Sequence, residues 1–474
     1  MSQLPSDAAR KLLEAVDSGA MPASHLGLSV EELRECLGQP VSDDVEPVPD
    51  NVEPVPDDAE IEKRREAIQR LFMAPFEDFL FDGERTEKEV GRIPRSSTEP
   101  IWNWIQEDVL PDTFPDMLDR VHRHLDSGDE EALSAAITVM QEATAAAMSA
   151  ALERSETEPE HFDRLMKKLG DFAILEDARE IADVFMILDE VRQMHYEVPR
   201  LISSFDDIMV SSVRDIYDRL YERDPDRAIY LALALMGRLE FPWQILRLAR
   251  KVAQRSDDTM ISRTDFSILG ERLIKRLESI ADHFRGLRPG LSDLSELHGL
   301  IVEFSDLSSG ITKEIELLRI GNWGQRLLTS RNLISTAVGD EFSHYLKDLS
   351  NALPLQRVGG FGRGGPRRVD VSRLPDDERV IRILRELDFM DDVKPLAKAI
   401  GAQNAFDRTQ PELEAYVVSY EDAIIEELRY SEADEAENAE AYLAVACELS
   451  KRVCGASASS TLTKRGRIAL QASA

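Results

Sequence analysis

Apolar residues recur at steps of three and four along most of this chain. In TDFSILGERLIKRLESIADHF, Phe266, Leu269, Leu273, Leu277, Ile280 and Phe284 fall on one face and charges on the other, the pattern of an amphipathic helix laid on a core. Leu294, Leu297, Ile301, Phe304, Leu307, Ile311, Ile315 and Leu318 extend the same period over a longer helix. Leu133, Ile137, Met140, Thr144, Ala147 and Ala151 form a stripe of mostly small residues, which lets a neighbouring backbone come close. Asp226 to Leu239 is apolar nearly all round and is bracketed by Asp224-Pro225 and by Glu240-Phe241-Pro242; proline bounds a helix at each side, and a helix without a polar face is expected to be buried. Almost no segment alternates as a strand does. The fold class expected is all-α, an elongated multi-helix bundle, with no fixed-period repeat.

Punctuation divides the pattern. Residues 1–38 hold two short helices, near Ser6 to Asp17 and from Val30 to Leu37, the second opened by Ser29 with Glu32 three residues on, a capping box. Residues 39–57 carry DVEPVPD followed directly by NVEPVPD. Proline denies backbone donors and the carboxylates repel one another, so an extended acidic tether is expected. The main helical body is expected over 58–350, a Gly/Arg-rich loop over 351–375, a C-terminal helical unit over 376–455 and a disordered basic tail over 456–474. Within the C-terminal unit the pattern predicts helices at Asp377–Leu387, Asp391–Ile400, Gln410–Leu428 and Glu432–Val453.

Composition narrows the function classes. The net charge of −33 across 474 residues disfavours a bulk surface that lies along nucleic acid, because that affinity rests on cations displacing counterions. Cys36, Cys447 and Cys454 form neither a CxxC nor a His/Cys cluster, and the last two are expected as small buried apolar residues. The longest apolar run, AIYLALALM from Ala228, is too short to cross a bilayer. No signal-type segment opens the chain, and a cytoplasmic location is expected.

Candidate chemistry is sparse. Gly360, Gly362 and Gly365 fit GxGxxG, but no strand-to-helix context surrounds them, so a dinucleotide site is not expected. The stretch reads instead as a joint, with Arg357, Arg363, Arg367 and Arg368 as candidate anion-binding residues that either meet a nucleic acid or dock on the protein's own acidic surface. Glu158 with His161 and Glu341 with His344 each make ExxH, the pair that supplies ligands in carboxylate-bridged di-iron bundles. Such pairs also arise by chance in an acidic chain, and their wide separation fits four-helix order badly. His122 and His124 face different sides of one helix, and His298 is expected as a hydrogen-bonded core residue. No nucleophile elbow, P-loop, HExxH or EF-hand loop is present, and no catalytic, cofactor or metal residue is assigned. Phe72, Phe76, Phe79, Phe81, Trp102 and Trp104 crowd into two clusters; they either anchor a partner or fill the core and pack on each other. The function expected is a non-enzymatic interaction scaffold or regulatory adaptor that binds a protein partner through its tethered module, with homo-oligomerisation left open. The alternatives are nucleic-acid binding by the Gly/Arg loop and basic tail, and a helical enzyme with a metal carboxylate site.

Overall fold

The computed structural model describes residues 58–85, 87–254, 257–318, 321–357, 367–430 and 435–473. The tethered module expected at 1–38 and its linker at 39–57 lie outside them. The chain divides between Lys63 and Arg64, and Arg64–Ala474 is the unit described below. It is all-α with two minimal sheets.

Helix α1 (Asp58–Met73) turns through a 3₁₀ segment, Ala74–Phe76, into the two-residue strand β1 (Leu80–Phe81), which pairs in parallel with β2 (Ile93–Pro94). Residues 82–92 between them make a strap. Next come α2 (Thr98–Trp104), α3 (Phe114–Ser127), α4 (Glu130–Thr157), α5 (Pro159–Leu169), α6 (Phe172–Phe185), α7 (Leu188–Glu197) and α8 (Asp207–Arg223). Their ends carry local chemistry. Asp129, Asp171 and Asp206 accept the free amides of the first turns of α4, α6 and α8, and Gly128 and Gly170, at φ 68° and 81°, end α3 and α5, as left-handed caps require.

Helix α9 (Ala228–Arg238) is buried on nearly every side, as its unbroken apolar sequence demands. It sits so close to the turn before β1 that a Cβ on Gly237 would fall 2.1 Å from the Asp78 carbonyl oxygen. After α10 (Leu246–Ala253) and α11 (Asp258–Ile261) come the long helices α12 (Ser267–His283), α13 (Leu294–Glu314) and α14 (Asn322–Phe342), then α15 (Tyr345–Ala352). Helix α13 stops short of the predicted Leu318, because Asp258 N–H donates to the Glu316 carbonyl and Leu318 N–H to the Asp258 carboxylate. Those bonds draw the backbone out of the helix.

The C-terminal third is continuous with this body. Helices α16 (Asp377–Val393), α17 (Ala397–Ile400), α18 (Gln403–Tyr430), α19 (Ala436–Val453) and α20 (Ala456–Ser473) follow; α16 packs on α13 and α15, α18 packs on α14, and α18, α19 and α20 pack together. Two expectations are corrected here. The tail expected to be disordered is α20, whose Leu462 and Ala469 are fully buried. The Gly/Arg stretch is not a joint between separate bundles. It is flanked by an antiparallel pair, β3 (Leu355–Arg357) and β4 (Arg367–Val369), with Arg357 opposite Arg367, and β4 lies on α18. No helix among the described residues is long and apolar enough to cross a membrane.

Candidate metal centre

The last turn of α14 and the first turn of α15 meet at His344, with Glu341 three residues before it and Asp348 four residues after. Steps of three and four put all three on one side of the junction. Helix α16 packs against α15 and brings in Glu386. His344 Nε2 then stands 3.5 Å from an oxygen of Asp348, 3.5 Å from one of Glu386 and 3.8 Å from one of Glu341. Glu341 and Glu386 are 4 % and 2 % exposed, while His344 and Asp348 are half-buried.

The loop before α13 closes this arrangement. Gly290 N–H donates to both oxygens of Glu341, at 3.1 and 3.3 Å. Its φ is +73°, and a Cβ there would lie 2.9 Å from His344 Nε2, so glycine satisfies both the backbone conformation and the close approach to the ring. Tyr345 lies edge-on to the imidazole, 5.2 Å between centroids.

What the cluster lacks is as informative. Both ring nitrogens of His344, Oε2 of Glu386 and the Tyr345 hydroxyl are buried without a hydrogen-bond partner, and buried polar atoms are nearly always paired. Burial, followed by the Asp348 and Glu341 charges, pushes the Glu386 carboxyl up to about 8. Burial also raises Glu341, against the opposing pull of the Gly290 amide and His344. Burial lifts Tyr345 far above the usual phenol range.

Spacing decides what the cluster fits. A charge-assisted N–H···O bond is about 2.7–2.9 Å long, shorter than any of the three separations. A tetrahedral ion with bonds of about 2.0–2.2 Å holds its ligand atoms about 3.3–3.6 Å apart. His344, Asp348 and Glu386 each offer one atom within 4.8 Å of the others, with two of those separations at 3.5 Å. One imidazole and two carboxylates form a donor set for zinc, manganese or ferrous iron. Beside the cluster opens a cavity of about 940 Å³, lined by Glu341 and Glu386 and, farther out, by His298, Arg382 and Arg385.

Of the two ExxH pairs in the sequence, one is at this centre. In the other, His161 Nε2 lies 3.2 Å from an oxygen of half-exposed Glu158 and is crowded by Arg154 and Arg164, cations that repel a metal. His298 corrects an expectation: it is half-buried on the cavity wall, not in the core. Asp348 and Glu386 were not singled out in the sequence. Asp348 completes an E-x-x-H-x-x-x-D run that was there to be read; nothing local marks Glu386.

The aromatic clusters are placed inside the fold. Phe72, Phe76, Phe79, Trp102 and Trp104 are buried, and Phe81 is half-buried under Arg92. Phe72 meets Trp102 edge-on at 5.2 Å, and Trp102 meets Phe114 at 5.1 Å. Their apolar area is spent within the chain, so as anchors for a partner they are corrected to core. Arg368 makes a two-pronged ion pair with buried Glu427, 3.2 Å at each prong, and so docks on the protein's own acid; Arg367 is exposed. Arg363 and the Arg357 side chain lie outside the described residues. Cys447 and Cys454 are free, half-buried thiols against the core, and burial pushes the Cys454 thiol up to about 11.

No family model, curated protein or solved structure matches this chain.

Proposed function

We propose that the protein binds a divalent cation through His344 Nε2 and one oxygen each of Asp348 and Glu386, with Glu341 held beside them by the Gly290 amide. The observation that carries this reading is a buried imidazole nitrogen 3.5–3.8 Å from three carboxylates and hydrogen-bonded to none. Three protein ligands leave a coordination position free, whereas structural zinc sites are closed by four, and the adjoining cavity gives that position access to a small molecule. A bound ion supplies Lewis-acid polarisation or an acidified water. This chain's part is to shield the site, to fix the ring against Tyr345 and Gly290, and to hold a proton on Glu386 that leaves when the ion enters. Affinity therefore rises with pH up to about 8, where Glu386 ionises unaided.

The test is metal content after metal-stripped full chain is dialysed against micromolar zinc or manganese. Wild type and Glu158→Gln are expected to hold about one equivalent, and His344→Ala and Glu386→Ala less than about a tenth of that. Wild type that takes up no ion reduces the cluster to buried acids sharing protons, and the reading fails.

A second reading, the partner-binding adaptor, is favoured by one observation: Tyr196, Leu201 and Ile208 stand 90 %, 67 % and 78 % exposed within thirteen residues, apolar area of the kind that marks contact surfaces. Capture of a partner by the full chain is expected to fall with Leu201→Asp/Ile208→Asp, and a full chain that captures none would remove this reading.

A further inference from the structure

Helix α13 carries a second pattern beside its apolar stripe. Ser305, Ser308, Ser309 and Thr312 are spaced i, i+3, i+4, i+7 and so share one face. They line a pocket of about 400 Å³ together with Arg331 of α14 and Lys398 of α17. No carboxylate lines it, in a chain with 90 acidic residues.

Neither Arg331 nor Lys398 forms an ion pair among the described residues. Arg331 donates from Nη2 to the Lys398 carbonyl, and its Nε is buried without an acceptor. Gly401, at φ +75°, leaves the space this guanidinium occupies, since a Cβ there would lie 3.1 Å from Arg331 Nε. Ser335 donates to the Gly401 carbonyl at 2.9 Å and secures the turn. Ser305 is 6 % exposed, and its hydroxyl has no partner among the described residues. Four hydroxyl side chains and a guanidinium with an unmet donor thus line one concave space.

We infer that this pocket is a binding site for a phosphomonoester, with the phosphate between Arg331 and Lys398 and the organic part along the hydroxyl stripe. A phosphate supplies acceptors for charged and hydroxyl donors at once. A pocket of 400 Å³ exceeds what inorganic phosphate fills, and its hydroxyls suit a polyol. The site shares no residue with the His344 cluster, so either assignment stands or falls alone.

The experiment is calorimetric titration of the full chain with glycerol 3-phosphate, inorganic phosphate and, as the uncharged control, glycerol. Saturable one-to-one binding of glycerol 3-phosphate is expected, tighter than that of inorganic phosphate, with no binding of glycerol. Lys398→Gln should weaken it about tenfold, the loss of one charge-assisted bond, and Ser309→Ala severalfold. Both side chains are exposed, and neither makes the Arg331–Lys398 carbonyl bond, so these variants keep the fold even where Arg331→Gln does not. No saturable binding, or binding unchanged in both variants, overturns the proposal. Phosphatidate vesicles form the second arm: co-sedimentation that glycerol 3-phosphate competes away supports the pocket, and co-sedimentation that it does not compete overturns it.

Discussion

Two buried acidic clusters in this molecule are built alike and differ in one respect. In the N-terminal part, Asp177 and Glu180 of α6 lie under the strap between β1 and β2. Lys88 Nζ sits 2.7 Å from Asp177 and 3.0 Å from Glu180, Arg85 also pairs with Asp177, and Gly91 N–H donates to Glu180 at 2.9 Å. In the C-terminal part, Glu341 and Glu386 are equally buried, and a left-handed glycine again donates its amide to a glutamate. The first cluster has its cations. The second has an imidazole and, as its nearest described cationic influence on Glu386, Arg382. Burial raises Glu180, but Lys88 opposes the rise, while Glu386 goes up to about 8 with two further carboxylates adding to the burial. Buried carboxylates neutralised by the chain's own lysine and arginine serve the fold. Those with no lysine or arginine in contact keep a need that a proton or a metal ion meets.

The comparison breaks first at Asp177. Asp177→Ala strands Arg85 beside a buried gap, leaves Lys88 with Glu180 alone, and is expected to lower stability by about 3–5 kcal/mol, read from urea unfolding; a loss below about 1 kcal/mol would make the first cluster as dispensable as a surface pair. The pH dependence of the second cluster sharpens the contrast at smaller amplitude. Glutamate in the unfolded chain ionises near pH 4.3, and Glu386 in the folded chain near 8. Between those values the folded state holds the extra proton, so the stability of metal-free protein falls as pH rises, by up to about 1.4 kcal/mol per pH unit. Glu386→Gln should flatten that slope in parallel unfolding curves at pH 5, 6, 7 and 8. An unchanged slope would place the held proton elsewhere.

Periodicity was enough for the body. Every apolar residue marked in Phe266–Phe284 is buried, because a helix with one apolar face has one way to turn it. The C-terminal reading failed where tertiary contacts outweighed local signals. A helix is expected from Gln410, yet α18 begins at Gln403; Phe406 and Thr409 are buried and Gln410 Nε2 donates to the Val453 carbonyl at 3.0 Å, which secures the two earlier turns despite the amide that Pro411 lacks. The final segment, rich in small residues and serine, has the composition of a disordered tail. Its smallness is what lets it pack: a Cβ on Gly466 would lie 2.4 Å from Leu443 Cδ2. At the candidate metal centre, Glu341 and His344 announced themselves by spacing. Glu386 did not, since one glutamate on an acidic helix looks like every other until a second helix covers it.

The paired strands β3 and β4 have a bearing on how this chain tolerates change in length. Arg357 and Arg367 face each other across the ladder, so the described chain on either side of residues 358–366 stands at one place. The closing contacts, Arg368 on Glu427 and β4 on α18, belong to residues outside that interval. Loop closure costs only about 0.6 kcal/mol for each doubling of length. Insertions or a reporter tag between Val358 and Pro366 therefore leave the helical assembly, and both candidate sites, in register.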